Sequence, residues 1–212
     1  PSPAHAGGMF PSGVQRLLDQ HFPQTSGTLV LVGSSISMME EAALLGNSPL
    51  YGRATVKLDL RPLDFAAAQE FLPDTYTPEE RVFAWGIVGG VPYYLDGVDL
   101  SRDLGTVLTE EVLSQRGYLH NEPEYVLRTE LTDPNRYFAI LTAIAAGKTT
   151  SNEIAQAIGI DGKQISTYTQ KLERLRLIER EVPLTEQKAK SRRGRYRLLD
   201  PLFRFWFRFV YG

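Results

Sequence analysis

Donor side chains line one face of a helix that the sequence predicts over residues 163–177. Apolar residues recur there at helical spacing and are expected to face a core: Ile165, Tyr168, Leu172 and Leu175. The opposite face then carries Lys163, Ser166, Thr167, Gln170 and Arg174. Because hydroxyl, amide and cationic groups bind base edges and phosphates in a major groove, this face is a candidate DNA contact.

A strongly basic loop follows this helix, between two predicted strands at residues 178–182 and 196–199. Its cations are Lys188, Lys190, Arg192, Arg193 and Arg195. Such a loop can lie along the DNA backbone or in the minor groove, and its binding would weaken with salt through counterion release. The alternative is a module that contacts proteins or acts as a lever, with its basic loop simply solvated.

Two further helices are predicted just before this one. Asp133-Pro134 is typical of a helix start, and Gly147 of that helix's end. Thr150 and Glu153 have the spacing of a capping box, which starts a second helix ending at Gly159. Three helices followed by a β-hairpin predict a winged helix-turn-helix over residues 133–200.

Charge is distributed unevenly along the 212 residues: residues 1–147 hold 9 basic and 18 acidic residues, and residues 148–208 hold 14 basic and 7 acidic. The basic part is expected to meet a polyanion. Cysteine is absent, which fits a reducing, cytoplasmic location and excludes thiolate metal sites. No apolar run is long enough for a membrane span, so no membrane partner is expected.

The front of the chain carries a different pattern. Residues 28–33 form a continuous run of β-branched and aliphatic residues, which predicts a buried strand of a parallel sheet. Residues 54–60 predict a second strand, and a helix is expected around residues 38–45 between them. Ser34 and Ser35 follow the first strand, at the end where such sheets bind ligands.

Residues 63–132 predict a helical block. Asp64 is expected to cap one helix, and Thr77-Pro78 with Glu80 gives a strong start for another. Further helices are predicted over residues 109–115 and 124–131.

No motif for catalysis is present. Gly147-Lys148-Thr149 resembles the end of a phosphate-binding loop. That motif requires a glycine five positions earlier, where this chain has Thr142, and a preceding strand, which is not predicted here. The three histidines are scattered, and neither a nucleophile elbow nor an acid–base pair is found. The sequence therefore predicts no catalytic residue and no metal site in this chain.

Taken in order, several segments resemble one family. They are 31–35, 48–53, Gly89-Gly90-Val91-Pro92 with 93–95, 130–134, and 196–210. From about Gly13 onward the chain closely resembles the archaeal-type ATPase family of prokaryotes, a branch of the AAA+ and STAND ATPases. This resemblance implies an α+β, mostly helical fold: a remnant of the parallel ATPase sheet, a helical lid and a winged helix-turn-helix.

The resemblance also implies roles for single residues. Ser34 or Ser35 would sense the γ-phosphate, and Arg53 would serve as a phosphate-sensing or structural arginine. Gly90 and Pro92 would belong to the lid motif whose proline packs on adenine, and the alternative for Pro92 is a plain helix start after Gly89-Gly90. ATP and Mg²⁺ are expected in the intact parent protein, and neither is expected on this chain alone.

The Walker A and Walker B segments of that family are missing here, so the chain is expected to be an internal part of a longer ATPase that does not hydrolyse ATP alone. The expected segments are 1–62 for the ATPase core, 63–132 for the lid, 133–200 for the winged helix, and 201–212 for the start of a further domain. Residues 202–211 carry six aromatics and are expected to need a protein partner or missing domain as cover. The alternative function is a stand-alone winged-helix DNA-binding transcriptional regulator without ATPase activity.

Overall fold

The computed structural model describes residues 6–33, 39, 46, 48–187, 191 and 193–211, with side chains from Pro11 onward. Two compact units are formed, residues 1–60 and 61–212. Helices dominate the second unit, and the one sheet within the described residues, which lies in that unit, has two antiparallel strands. The prediction of an α+β, mostly helical fold is confirmed at this level.

The first unit contains a helix α1, Ala6–Gln20, followed by a 3₁₀ turn, Phe22–Gln24. A second turn over residues 48–53 is closed by the Ser48 hydroxyl, which accepts from the backbone N–H of Leu50 at 3.1 Å. Gly52 lies in this turn with φ of 76°, a conformation that glycine adopts without a steric cost.

The prediction of a buried strand at residues 28–33 and of a second strand at residues 54–60 is wrong. Residues 28–33 and 54–60 form neither helix nor strand, and their apolar side chains are exposed. Val32 is 87% exposed and Leu58 is 82% exposed. A parallel strand is stable only when neighbouring strands satisfy its backbone and helices cover both faces of the sheet, and the described part of the first unit supplies no neighbouring strand.

The second unit begins with the helical block. Its helices, in chain order, are α2 (Phe65–Ala68), α3 (Pro78–Val88), α4 (Pro92–Gly97), α5 (Leu104–Val107) and α6 (Glu122–Glu130). A 3₁₀ turn, Gln69–Phe71, extends α2, and a π-helical turn, Leu108–Leu113, extends α5. The start signals predicted at Asp64 and Thr77 are confirmed: Asp64 accepts from Ala67 N, and Thr77 forms a capping box with Glu80.

The rest of the second unit forms the C-terminal module. Its elements are α7 (Pro134–Ala145), α8 (Ser151–Ile158), α9 (Gly162–Arg174), β1 (Ile178–Glu181) and β2 (Arg195–Leu198). The two strands pair antiparallel, with Ile178 opposite Leu198 and Glu181 opposite Arg195. Helix α7 packs on α8 and β2, and α9 packs on α8 and β1, so the hairpin lies against α7 and α9.

A final helix, α10 (Pro201–Phe209), joins the two parts of this unit. Leu202 belongs to the core of the helical block, together with Ile87, Val88 and Leu95. Further along α10, Phe207 packs edge-on against Phe138 of α7, with ring centroids 5.8 Å apart.

The aromatic segment was expected to need an outside partner, and most of it does not. Pro201, Leu202, Phe203, Trp206 and Phe207 are buried by the chain's own residues. The indole N–H of Trp206 also donates to the backbone oxygen of His120 at 2.5 Å. Phe209, the last residue of α10, stays 66% exposed.

Candidate nucleic-acid interface

Helix α9 presents all five of the predicted donor residues to the outside. Asp161 caps the helix by accepting from the Lys163 backbone N–H at 2.8 Å, which fixes where the first turn begins. The side chains that follow on the outer face are exposed: Lys163, Ser166, Thr167, Gln170 and Arg174. The structure therefore brings this part of the predicted site together on one surface.

The inner face of α9 differs from the prediction at one position. Ile165 and Leu172 are buried as expected, but the third buried residue of the helix is Thr169, 1% exposed, while Tyr168 is only half-buried. Spacings of four and three residues place these three on one face. The Thr169 hydroxyl donates to the Ser166 backbone oxygen at 3.3 Å and also bonds the Tyr196 hydroxyl, so its polarity is satisfied.

Strand β2 is fastened to the helices on its buried side. Tyr196 is buried and its backbone N–H donates to the oxygen of Thr149, just before α8, at 2.7 Å. Because this bond and the Tyr196–Thr169 contact tie β2 to the α7–α8 connection and to α9, the hairpin is held in one position against α9.

The outward face of the hairpin carries as many acids as bases. Arg197 is clamped by the carboxylates of Glu179 and Glu181, and it bonds Glu181 through Nε at 2.5 Å. Arg195 lies opposite Glu181 in the register and is exposed. Because two glutamates already hold it, Arg197 has little charge left for a polyanion, whereas Arg195 keeps its own.

The loop between the strands is shaped by Arg180. Its guanidinium donates to the Ser191 backbone oxygen at 2.5 Å and fills the space beside Gly194, where a Cβ atom would lie 2.2 Å from Nε. Arg193 is exposed and forms a loose ion pair with Glu186, with N and O 3.5 Å apart. Lys188, Lys190 and Arg192 lie outside the described residues.

Arg136, which the sequence did not single out, lies beside α9. Arg136, in the first turn of α7, is exposed and donates from Nη1 to the Tyr168 hydroxyl at 3.1 Å. Its Cζ atom lies 5.9 Å from the centre of the Tyr168 ring, within cation–π range. Tyr137 packs edge-on against the same ring at 5.3 Å. No sequence signal joins residues 32 positions apart, so only the packing of α7 on α9 reveals this pair.

The start of α8 is well defined but does not form an anion site. Glu153 accepts from the backbone N–H of Thr150 at 2.9 Å, from its hydroxyl at 2.8 Å, and from the Thr149 N–H at 3.1 Å. These hydrogen bonds hold the pKa of Glu153 below its usual range, that from the Thr150 backbone contributing most. The carboxylate thus occupies the N–H groups that a phosphate would otherwise approach.

Of the residues predicted to contact nucleotide, Ser34 and Ser35 lie outside the described residues. Arg53 forms a two-point ion pair with Asp19, at 2.8 and 2.9 Å, and donates to the Pro49 oxygen at 2.7 Å. The hydrogen bond from Arg53 lowers the pKa of Asp19. The guanidinium is therefore engaged in holding the 48–53 turn to α1, which fits the structural alternative for this arginine.

Gly90 and Pro92 occupy neighbouring but distinct environments. Gly90 is buried, and a Cβ atom there would lie 1.9 Å from the backbone oxygen of Leu63. Its carbonyl also accepts from the Leu63 N–H at 2.6 Å. The chain itself thus fills the space that the small residue leaves. Pro92 is exposed at the first position of α4, where its fixed φ suits a helix start.

A nearby tyrosine cluster completes the surface around α4. The Tyr94 hydroxyl donates to Glu122 at 3.0 Å, and burial together with this carboxylate raises the pKa of Tyr94. Tyr93 and Tyr118 are exposed and lie with ring centroids 6.0 Å apart. Desolvation, followed by the hydrogen bond with Tyr93, raises the pKa of Tyr118 to about 12. Both raised pKa values keep the Tyr94 and Tyr118 hydroxyls protonated near neutral pH.

Within the part of the chain that the structure describes, no three His, Asp or Glu side chains come together as a cation site. None of the described helices combines the length and the apolar character that crossing a bilayer requires.

Comparison with known proteins gives one relative. The chain is 38% identical, over 197 residues, to an uncharacterized protein of the archaeon Methanocaldococcus jannaschii. The match covers 93% of this chain and 44% of the relative, so the chain spans less than half of the relative's length. No family model matches the chain. No solved structure matches it either.

Proposed function

We propose that residues 133–200 form a winged helix-turn-helix that binds double-stranded DNA, with α9 as the recognition helix and the β1–β2 loop as the wing. The observation that carries this proposal is the outer face of α9. Its donors Lys163, Ser166, Thr167, Gln170 and Arg174 are all exposed, while the opposite face is buried in the module. An α-helix with such a face fits the width of the major groove.

Electrostatics support the same surface. Lys163 and Arg174 on α9 and Arg195 on the hairpin are exposed, and none of the described carboxylates forms an ion pair with them. Arg193 is held only by a 3.5 Å contact to Glu186, which a phosphate can replace at little cost because the pair is exposed. Cations free to exchange water and counterions for phosphates supply the non-specific part of DNA affinity.

The first test measures binding of the purified chain to a fluorescein-labelled DNA duplex of mixed sequence by anisotropy, across a salt series. The triple variant with Arg192, Arg193 and Arg195 changed to Ala is expected to bind more weakly at every salt concentration. The slope of log affinity against log salt should fall by about 0.9 per phosphate contact removed.

Base contact is tested separately from phosphate contact. Gln170→Ala keeps the charge of α9, so it should lower affinity for a selected site without changing the salt slope. The matched control is Gln115→Ala, an exposed glutamine in the helical block. Equal affinity of the wild type for duplex DNA and for an uncharged polymer surface, or retention of RNA alone, would overturn the proposal.

A second candidate function, that of an AAA+/STAND-type ATPase part, is favoured by the exposed segments 28–33 and 54–60. Their apolar residues, with Val30 at 72% and Leu60 at 90% exposed, make a surface that complementary strands of a nucleotide-binding sheet would cover. In this proposal ATP and Mg²⁺ bind the intact protein, the helical block is the lid, and nucleotide state sets the position of the winged helix. The exposed Pro92 is available to a base, whereas the space beside Gly90 is not.

This second candidate is tested by phosphate release. The 212-residue chain with ATP and Mg²⁺ is expected to show no turnover, because it contains no phosphate-binding loop. Phosphate release proportional to enzyme concentration would contradict that expectation. If the full gene encodes no such loop, the stand-alone DNA-binding regulator gains over the ATPase part.

A further inference from the structure

We propose that Arg136 is a DNA-phosphate contact at the side of the recognition helix and that Tyr168 of α9 holds it there. The inference rests on the proposed DNA-binding function and adds a residue from a different helix to that interface. It begins from the contact itself: Arg136 Nη1 lies 3.1 Å from the Tyr168 hydroxyl, and the guanidinium lies 5.9 Å from the ring centre.

Tyr168 is fixed in place. The ring is half-buried on α9, and Tyr137 of α7 packs on it edge-to-face at 5.3 Å. An aromatic ring held by a T-shaped partner has few rotamers left, and a guanidinium bonded to its hydroxyl shares that restriction. Arg136 is thus pre-oriented next to α9, so less side-chain entropy is lost when it binds a second group.

The position suits a phosphate and not a base edge. At 100° per residue, Tyr168 lies 100° beyond Thr167 around the helix, at the border between the exposed outer face and the buried face that carries Ile165 and Leu172. A helix in a groove about 12 Å wide has a phosphate backbone along each side. A cation held at the side of α9 therefore faces backbone, where it would set the register of the helix without selecting a sequence.

The charge of Arg136 is available. Among the described residues no carboxylate forms an ion pair with it, and its partner is a neutral hydroxyl that occupies one of its five N–H donors. Arg197 gives the contrast, because Glu179 and Glu181 neutralise it on the hairpin. Of these two exposed arginines, Arg136 is the one that can pair with a phosphate without first losing a carboxylate.

The test uses the whole chain, the labelled mixed-sequence duplex and a salt series. Arg136→Gln is expected to weaken binding about threefold to tenfold at low salt and to lower the salt slope by about 0.9, the value for one phosphate contact. Arg136→Lys keeps the charge and should retain most of the slope. Tyr168→Phe removes the acceptor but keeps the ring and the charges, so it should lower affinity less and leave the slope unchanged.

The matched control is Arg116→Gln, an exposed arginine of the helical block, which should change neither affinity nor slope. A merely structural role for Arg136 would alter stability and leave the slope intact, so thermal unfolding is measured in parallel. If Arg136→Gln does not fold, Arg136→Met, which keeps the aliphatic stem without the charge, takes its place. Wild-type binding with an unchanged slope in the uncharged variant overturns this inference alone, whereas absence of wild-type DNA binding overturns the proposed function.

Discussion

The glycines around the end of α3 differ in why a glycine is needed, either for the backbone conformation or for the space that neighbouring atoms leave. Gly89 adopts φ of 81° at the end of α3, so the backbone conformation explains why this position is a glycine. Gly90 has no such φ, and its size is dictated instead by the Leu63 backbone pressed against it. Gly86 lies inside α3 with nothing within 4 Å of a built Cβ atom, so neither cause applies to it.

Substitution of Gly90 and of Gly86 by alanine is expected to change stability in opposite directions. Gly90→Ala should lower the free energy of unfolding by about 1–3 kcal/mol, because the new methyl meets main-chain atoms that cannot rotate away. Gly86→Ala should raise it by about 1 kcal/mol, because alanine loses less backbone entropy in a helix interior. Urea unfolding followed by far-ultraviolet circular dichroism measures both. Equal and small effects would show that Leu63 does not press on Gly90 in solution.

Asp200 shows a carboxylate in a costly position. It caps α10 by accepting from the Phe203 N–H at 3.1 Å, yet desolvation outweighs its hydrogen bonds and raises its pKa. A carboxyl whose pKa is higher in the folded state stabilises the protein at low pH. This contribution is lost as pH rises from the unfolded pKa of about 3.9 through the folded pKa.

We therefore expect Asp200→Asn, which keeps an acceptor and removes the charge, to match or exceed wild-type stability at pH 7. Asp200→Ala removes the cap and should cost about 1 kcal/mol. Thermal unfolding of both variants at pH 7 and near pH 4 separates charge from cap. A less stable Asn variant at pH 7, with no gain relative to wild type as pH rises, would argue that the ionised carboxylate is needed.

At the scale of elements, helix starts carry much of the local specification. α3 and α8 both begin with complete capping boxes, Thr77 with Glu80 and Thr150 with Glu153. α7 begins at Asp133 without a side-chain hydrogen bond, although the sequence suggested one. Its start is secured instead by Pro134 and by burial of Phe138 and Ile140.

The capping box of α8 predicts a pH dependence. The pKa of Glu153 is lowered by hydrogen bonds present only in the folded state, so its contribution is fully present above the unfolded value of about 4.3. It is lost as pH falls through the folded pKa. Glu153→Gln should therefore be destabilising at pH 7 and nearly neutral near pH 2, in urea unfolding.

Glu70→Gln is the control for that experiment, since Glu70 is exposed and has no hydrogen-bond partner among the described side chains. Its variant should show the same small effect at both pH values. A pH-independent loss in Glu153→Gln would instead indicate that acceptor geometry, and not the charge, stabilises the start of α8.

For the molecule as a whole, α10 is the element that makes the helical block and the C-terminal module one unit. Leu202 lies in the core of the block, Phe207 packs on α7, and Trp206 bonds His120. Both tryptophans, Trp85 and Trp206, lie outside α7, α8 and α9. Fluorescence therefore reports on the block and on α10, and not directly on the module.

This arrangement predicts cooperative unfolding. Ile154→Ala in α8, which removes a fully buried side chain, should cost about 2–5 kcal/mol and shift the tryptophan fluorescence transition as far as the circular dichroism transition. Ala157→Gly, at an exposed position of the same helix, is the small-effect control. A fluorescence midpoint that stays at the wild-type value would show that block and module unfold independently.

The sequence by itself determined the helices with local start and stop signals and the polar face of α9. Capping boxes, Pro at first positions and 3.6-residue spacing are short-range properties, so Asp64, Thr77, Thr150 and the exposed donors of α9 could be assigned without knowledge of their packing partners. Tertiary structure alone decided what depends on distant contacts. It left residues 28–33 and 54–60 outside any strand, exchanged Tyr168 for Thr169 in the core, covered α10 and placed Arg136 beside α9. Strand pairing and burial are set by residues far apart in the chain, and no local pattern records which neighbours are there.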